Sequence, residues 1–508
     1  MPRQQVLLTG ATGAMGFLTL QALLEDADAV SLTVLALPDD ASRRKLKPYS
    51  NHPALRVVWG DLTNPEDVKR SVRGMDIVLH VGALVSPVAD DKPLLAMRVN
   101  YGGTASILNA LVELGQSQTT KLVNIGSVAE TGDRMPPIHW GRVGDPIKPS
   151  VFDYYAVSKV AAERAVIESD LQYWVSLRQT GIIGAKMAAI DDAIMFHNGL
   201  NNVLEYVSDR DAARMLRNLC TMDRKGLLTQ DFWGHIFNVG GGASCRASTY
   251  ALYRELFGRL GFTRLADVME ANWSATRNFH GQYFLDSDKL NNLLDFRRDS
   301  LAYFYDSYQR FVGTRGRIVH AINVLGGEKH MGNILKKHFA SLARTAHGTL
   351  HFVEQGMEGH IAAYWGSRNA WETIEPLEQF VPFSAWETVV HIDHGYDETK
   401  PEALLSLADM QGAARFRGGA CLSGAMVKGD WGGKMLFRCA FDHRFTASPR
   451  LVLEGGHWCP HCEQKSWNYH ERARVDPFFA QVWDPLHPKD EQPWCYPKQV
   501  SQDDVWVA

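Results

Sequence analysis

Between a short apolar run, Val6-Leu7-Leu8, and a helical stretch from Phe17 to Leu24, the chain places Gly10, Gly13 and Gly16. Glycines at this spacing allow a tight turn and a close backbone approach to a pyrophosphate seated on the helix N-terminus. A chain that opens this way builds strand–turn–helix units. The pattern recurs, with apolar runs at 32–37, 56–59, 77–80, 121–125 and 173–178 alternating with helical stretches. Such alternation predicts an α/β fold, a doubly wound parallel sheet with helices on both faces. Ligands in these sheets bind outside the carboxyl ends of the strands. Gly10, Ser127 and Tyr155 are expected to meet there.

From about 185 to 300 the alternation loosens, as a small substrate-binding lobe requires, and His235–Val239 reads as a late strand before Gly240. Residues 300–372 read as helical, and the pattern beyond 380 as β-rich, with many aromatics, glycines and histidines. We therefore expect a dinucleotide-binding core plus substrate lobe over 1–310, a mainly helical connector over 311–380, and a β-rich zinc-binding domain over 381–508. The 508 residues, 45% of them hydrophobic, suffice for sizeable cores. A formal net charge of −4 offers no electrostatic reason to expect nucleic acid or a membrane as partner. No apolar run approaches the ~18 residues of a membrane span. The opening residues lack the apolar stretch of a signal peptide, and the late clustering of cysteines suits a reducing compartment, so the expectation is cytoplasmic.

The cofactor contacts expected of the turn are Gly10, Thr12, Gly13, Met15 and Gly16. Asp61, with Leu62, follows the third strand, where a carboxylate accepts from an adenine amino group or caps a helix near Pro65. Val81, Gly82 and Ala83 end the fourth strand, where small residues let the backbone touch the cofactor, and His80 beside them reads as structural. The second strand ends Ala36-Leu37-Pro38 without an acid to grip a ribose 2′-hydroxyl. Asp39 and Asp40 follow, then Arg43-Arg44-Lys45, so the reading leans to NADP over NAD with Arg43 at the 2′-phosphate. A solvated helix start is the alternative.

Tyr155 and Lys159 stand four apart, on one face of a helix. A free tyrosine titrates near about 10, and a neighbouring ammonium favours the phenolate. Ser127 ends the fifth strand, where its hydroxyl can polarise a carbonyl oxygen. With a hydride carrier these three groups suffice for carbonyl reduction or alcohol oxidation.

Residues 1 to roughly 310 resemble an extended short-chain dehydrogenase/reductase, a Rossmann-type superfamily of NAD-dependent epimerases, dehydratases and reductases. The resemblance rests on the glycine turn, Gly60-Asp61-Leu62, His80 to Ala83, Val99 to Thr104, Ile125-Gly126-Ser127, the Tyr155/Lys159 pair and Tyr206 to Ala212. It implies Tyr155 as acid/base, Lys159 as its partner and a cofactor contact, Ser127 as substrate-bonding residue, and Asn100 as a structural or proton-relay residue. Two departures turn the reading away from sugar nucleotides: Val128 to Gly132 lacks an aromatic before the glycine, and Gln179 replaces a common proline. Glu130 is a further acid/base or a surface carboxylate.

Cys439, His443, Cys459 and Cys462 form a Cys-x3-His and Cys-x2-Cys pair that resembles a zinc-ribbon or treble-clef knuckle. His457, His461, His470 and Cys495 are alternative fourth ligands. Four protein ligands close a site, so its expected role is structural. His391 and His394 would face opposite sides of a strand and are not expected to form a second site. The function expected is an NAD(P)(H)-dependent oxidoreductase acting on a secondary alcohol or ketone of a small, bulky cyclic molecule. Alternatives are an epimerase or dehydratase with tightly bound NAD, or a cofactor-binding scaffold. A homo-oligomer is compatible with the abundant aromatics.

Overall fold

The computed structural model describes residues 2–188, 191–229, 231–497, 500, 502 and 505. Its main sheet holds β1 (Gln4–Thr9), β2 (Val30–Ala36), β3 (Leu55–Trp59), β4 (Ile77–His80), β5 (Lys121–Ser127), β6 (Trp174–Gln179) and β7 (His235–Val239). Every pairing is parallel, and the spatial order is β3-β2-β1-β4-β5-β6-β7. The order reverses between β1 and β4, which opens the crevice of a Rossmann-type α/β fold.

The strands read as continuous apolar runs because both faces of the sheet are covered. Val6, Leu8, Val34, Leu79 and Val123 face one core, while Leu7, Leu35, Val78 and Leu122 face the other. The flanking helices are α1 (Ala14–Leu24), α2 (Asp40–Leu46), α3 (Pro65–Val72), α4 (Gly103–Glu113), α5 (Tyr154–Ile167) and α6 (Asp209–Arg224). Their starts are written locally. Asn64 caps α3 ahead of Pro65, and Asp153 and Ser208 accept backbone N–H groups at the starts of α5 and α6.

The region after 300 is helical as expected, beginning with α7 (Leu301–Ile322) and α8 (Glu328–Ala343). Phe339 and Ala343 pack into a core with Phe196, Tyr253, Phe257 and Trp273 of the lobe. Beyond 380, strands share the region with helices. β8 (Ala420–Cys421), β9 (Met435–Arg438) and β10 (Arg444–Ala447) form an antiparallel sheet beside α9 (Leu407–Phe416), α10 (Tyr469–Val475) and α11 (Pro477–Trp483). The aromatics there do not alternate as in a strand. Phe478, Phe479, Val482 and Trp483 are buried at helical spacing.

This C-terminal region shares its core with the sheet. Met410, Phe437, Phe445 and Trp458 belong to the same apolar cluster as Leu7, Val78, Val166 and Ile167. Trp467, Tyr469, Phe479 and Trp483 pack with Met97, Val151 and Tyr154 at the other end of α5. Helix α5 is therefore covered at both ends by residues from the last hundred or so positions. Among the described residues no helix is long and apolar enough to cross a membrane.

Candidate active site and metal centre

Gly10 has φ +70°, and a Cβ there would lie 2.6 Å from the Cα of Gly82. A Cβ on Gly16 would lie 2.1 Å from the Gly10 carbonyl oxygen. Only glycine lets β1, β4 and α1 approach this closely. Gly13 caps α1 with no side-chain acceptor, so the helix N-terminus offers its N–H groups to an anion. The turn thus fits a dinucleotide pyrophosphate. Thr12 lies in the turn, and its carbonyl accepts from Lys45 Nζ at 2.8 Å. Of the basic triplet read in the sequence, Lys45 is the residue that the fold carries back to the turn. Arg43 stacks over Trp59 at 4.6 Å instead. Asp39 caps α2 by accepting from Ser42 N–H at 2.7 Å, and these local hydrogen bonds hold its carboxyl below the usual range. Met15 is buried in the α1 core.

Asp61 Oδ1 accepts from the Thr63 backbone and hydroxyl at 2.8 and 2.9 Å, and the cap of α3 is Asn64, not Asp61. Leu62 packs beneath Gly82, whose N–H donates to Thr9 Oγ1 at 2.9 Å, and Val81 and Ala83 flank it. His80 is held between the hydroxyls of Thr9 and Thr104, each at 3.0 Å. Burial, with the nearby Lys159 charge, lowers its pKa to about 3, so it is a neutral structural residue. Asn100 accepts from Leu84 N–H and donates to Leu84 O and Ser158 Oγ, all within 2.9 Å. Its amide ties the β4 loop to α5, which favours the structural role.

Helix α5 starts under two carboxylates. Asp153 accepts from Ala156 N–H at 2.7 Å, and Asp90 from Tyr154 N–H at 2.9 Å. The helix then presents Tyr155, Lys159 and Glu163 on one face. Lys159 Nζ donates to the Ile125 carbonyl at 2.6 Å and sits 6.0 Å from the Tyr155 ring centre. Burial lowers Lys159 to about 8, while the Glu130 and Glu163 carboxylates pull it back up. At neutral pH it remains an ammonium. Burial pushes the Tyr155 phenol above its ordinary value, and the neighbouring Ser127 side chain counters part of that. Tyr155 is accordingly a proton donor in the resting state.

Ser127 ends β5 and pairs in register with Gln179 at the end of β6. Gln179 Oε1 is buried without a protein partner, an acceptor left for a ligand. Glu130 is fully buried, which corrects the surface reading, and its Oε1 accepts the Ser127 N–H at 2.7 Å. Burial raises its pKa well above the ordinary value, as does the adjacent Glu163.

Glu163 anchors a buried network that sequence reasoning missed. It accepts from Ser176 Oγ at 2.7 Å and Arg178 Nη2 at 2.5 Å, and His457 Nε2 lies 3.2 Å away. Arg178 also donates to the Gly455 carbonyl at 2.7 Å. Gly456 has φ +69°, and a Cβ there would lie 2.0 Å from the Asp145 carbonyl oxygen. The Gly455-Gly456-His457 segment is thereby wedged against α5.

Cys439, His443, Cys459 and Cys462 converge, all four donor atoms lying within 4.8 Å of one another. Cys439 Sγ to Cys462 Sγ is 3.7 Å, His443 Nδ1 to Cys462 Sγ is 3.3 Å, and Cys459 Sγ to His443 Nδ1 is 3.7 Å. Ligands on a tetrahedral zinc with bonds of about 2.0–2.3 Å stand roughly 3.3–3.8 Å apart, so the donor set fits that ion. Of the alternatives, His457 is committed to Glu163, His470 stands 3.9 Å from Glu491, and Cys495 is exposed. His461 lies close by, with its ring 5.3 Å from that of His443. A second group, His470, His487 and Glu491, also clusters. Both oxygens of Glu491 are taken by Arg277, and His487 Nδ1 bonds one of them at 3.0 Å, so it forms an ion-pair hub. His394 is caught between Asp145 and Glu398 at 3.0 and 2.8 Å, and His391 is exposed.

A sequence-family model described as the NAD dependent epimerase/dehydratase family matches residues 6–217. The 3-beta-hydroxysteroid dehydrogenase of Mycolicibacterium neoaurum is 27% identical over 213 residues, 39% of this chain and 52% of that protein. The inverting UDP-N-acetylglucosamine 4,6-dehydratase of Campylobacter jejuni is 25% identical over 114 residues, 22% of this chain and 34% of that protein. The chain thus spans about half or less of the length of these relatives. A dTDP-glucose 4,6-dehydratase double mutant from Streptomyces venezuelae, crystallised with NAD, is similar at a TM-score of 0.48 and 22% identity. That likeness covers 61% of this chain and 98% of that one.

Proposed function

Residues 6–217 belong to the NAD-dependent epimerase/dehydratase family, and on that premise we propose that this chain is an NAD(P)(H)-dependent oxidoreductase interconverting a secondary alcohol and a ketone. The observation that carries the reading is the grouping of Ser127, Tyr155 and Lys159 at the carboxyl end of β5. When bound, the nicotinamide supplies or accepts the hydride. In reduction Tyr155 gives its phenolic proton to the carbonyl oxygen, Ser127 hydrogen-bonds the same oxygen, and Lys159 offsets the charge left on the phenolate. Oxidation runs the same transfers backwards.

The proposed cofactor contacts are Gly10, Thr12, Gly13, Met15, Gly16, Arg43, Asp61, Leu62, Val81, Gly82, Ala83, Asn100, Tyr155 and Lys159. NADP(H) is the proposed form, supported by Lys45 at the turn and by Asp39 being occupied as a cap. For the substrate, a cavity of about 210 Å³ in the lobe favours an apolar ring compound. Its lining includes Met195, Leu252, Tyr253 and Phe304 and contains no lysine or arginine to meet a diphosphate. Tyr206, also in the lining, lies against Gly181, two positions beyond Gln179. Cys439, His443, Cys459 and Cys462 are proposed to hold a structural zinc, which cross-links the C-terminal region when bound. Functionally we divide the chain into the 1–310 oxidoreductase unit, the 311–380 connector and the 381–508 zinc-binding part.

The test is turnover of cyclic ketones with NADPH, followed by nicotinamide absorbance. Tyr155→Phe is expected to lower kcat by about 10²–10⁴-fold while cofactor affinity is retained. Substrate conversion at constant absorbance would instead identify an epimerase or dehydratase. Full activity in Tyr155→Phe would sink the acid/base assignment.

A further inference from the structure

The chain as a whole is mildly acidic, yet one stretch is strongly basic. Between Gln309 and Phe339 the cations are Arg310, Arg315, Arg317, Lys329, Lys336 and Lys337, and Glu328 is the sole carboxylate. This stretch forms the hairpin of α7 and α8, turned at Gly326 with φ +94°.

The inner side of the hairpin is committed to the lobe. Val312, Val319, Met331 and Leu335 pack on its apolar core, and Asn323 Nδ2 donates to the Leu260 carbonyl at 2.8 Å. Glu328 turns inward to accept from Thr263 Oγ1 at 2.9 Å, and Lys336 pairs with Glu270. The outer side has no such partners. Ile318 and Ile322, one turn apart on α7, are 55% and 40% exposed, and Val324 and Leu325, in the turn that follows, are 68% and 87% exposed. Arg315, Arg317, Lys329 and Lys337 are exposed and have no ion-pair partner among the described residues. Exposed apolar side chains scattered singly need no explanation, but a cluster at one hairpin tip does.

We propose that this hairpin docks the protein on an anionic lipid bilayer surface. The tip residues Ile318, Ile322, Val324 and Leu325 enter the headgroup–acyl boundary, while Arg315, Arg317, Lys329 and Lys337 meet the lipid phosphates. An apolar tip flanked by cations is the composition of an interfacial segment, which lies on the bilayer without spanning it. A second copy of the chain would bring two cationic faces together, and a nucleic acid would leave the apolar tip unused. Tyr308 and Phe339, on the inner side of the same two helices, line the apolar cavity of the lobe. The hairpin therefore separates that cavity from the proposed lipid surface. The inference does not depend on the chemistry proposed for the active site. The sequence-level expectation of no membrane partner rested on whole-chain charge and on span length, and neither measures a local basic, apolar surface.

The test is flotation of the full-length protein with phosphatidylcholine vesicles, with and without phosphatidylglycerol. The protein should float with the anionic vesicles at low salt and be released as salt rises. The double variant Val324→Asp/Leu325→Asp should lower the bound fraction at least about tenfold with its circular dichroism unchanged. Arg315→Glu/Arg317→Glu should do the same through charge alone. The proposal is overturned if the parent protein stays with neither vesicle, or if the tip variant floats as well as the parent. It is equally overturned if light scattering finds a parent dimer that the tip variant loses, which would make the face a self-association surface.

Discussion

Asp90 carries the clearest pH dependence of any single residue near the site. Its Oδ1 accepts the N–H groups of Tyr154 and Tyr155 at 2.9 and 3.3 Å, and so fixes where α5 begins. Burial raises its pKa to about 7, and the Asp153 charge adds to that. A carboxyl raised on folding binds a proton on folding, so the fold loses stability as pH rises from about 4, the unfolded value, to about 7. Above that window the full cost of the buried charge is present, and below it none. Asp90→Asn keeps an acceptor for the backbone and cannot ionise. It should stabilise the protein by about 1–3 kcal/mol at pH 8 and leave stability near the acid end unchanged, as read from urea denaturation at both pH values. Equal effects at both would show that Asp90 does not titrate between them.

At the scale of elements, α5 matters most, because one face carries Tyr155, Lys159 and Glu163 one turn apart. The first two were legible in the sequence, since i, i+4 spacing on a helix after a glycine turn is a local fact. The same holds for Ser127 at a strand end and for the Cys439, His443, Cys459 and Cys462 cluster. Glu163 was not legible, because its partners Arg178 and His457 come from a strand and from a segment far along the chain. Lys45 and Gln179 were named in the sequence, the one in a basic triplet and the other as a departure, but their positions at the turn and beside Ser127 come from the fold. The hydrogen bond from His457 can be tested directly. His457→Leu leaves the buried carboxylate one donor short and should cost about 1–3 kcal/mol of stability, with a fall in turnover as α5 loosens. His457→Gln extends an amide donor to a similar reach and should recover both. If Leu and Gln behave alike in thermal unfolding and in kcat, the bond is not what holds the helix.

Over the whole molecule, the fold of the first three hundred residues was readable because strand and helix patterns repeat at short range. The C-terminal region was legible only as mixed helix and strand with a Cys/His cluster, because its strands are brief and its aromatics are distributed between helices and a core borrowed from the sheet. That shared core has a thermodynamic signature. With zinc held as proposed by Cys439, His443, Cys459 and Cys462, chelation should lower the unfolding temperature of the protein in a single calorimetric transition. A separate, earlier transition for the C-terminal region would contradict the shared core. The wedge of Gly455 to His457 also bears on how the chain is made. Glu163 and His457 are 294 positions apart. At synthesis rates of about 5–20 residues per second, roughly 15–60 s separate their emergence from the ribosome. Throughout that interval the nascent helix bearing Tyr155 lacks the counter-surface that completes it. A chain cut short between α5 and Gly455 leaves Arg178 without its carbonyl acceptor and Glu163 without the His457 donor.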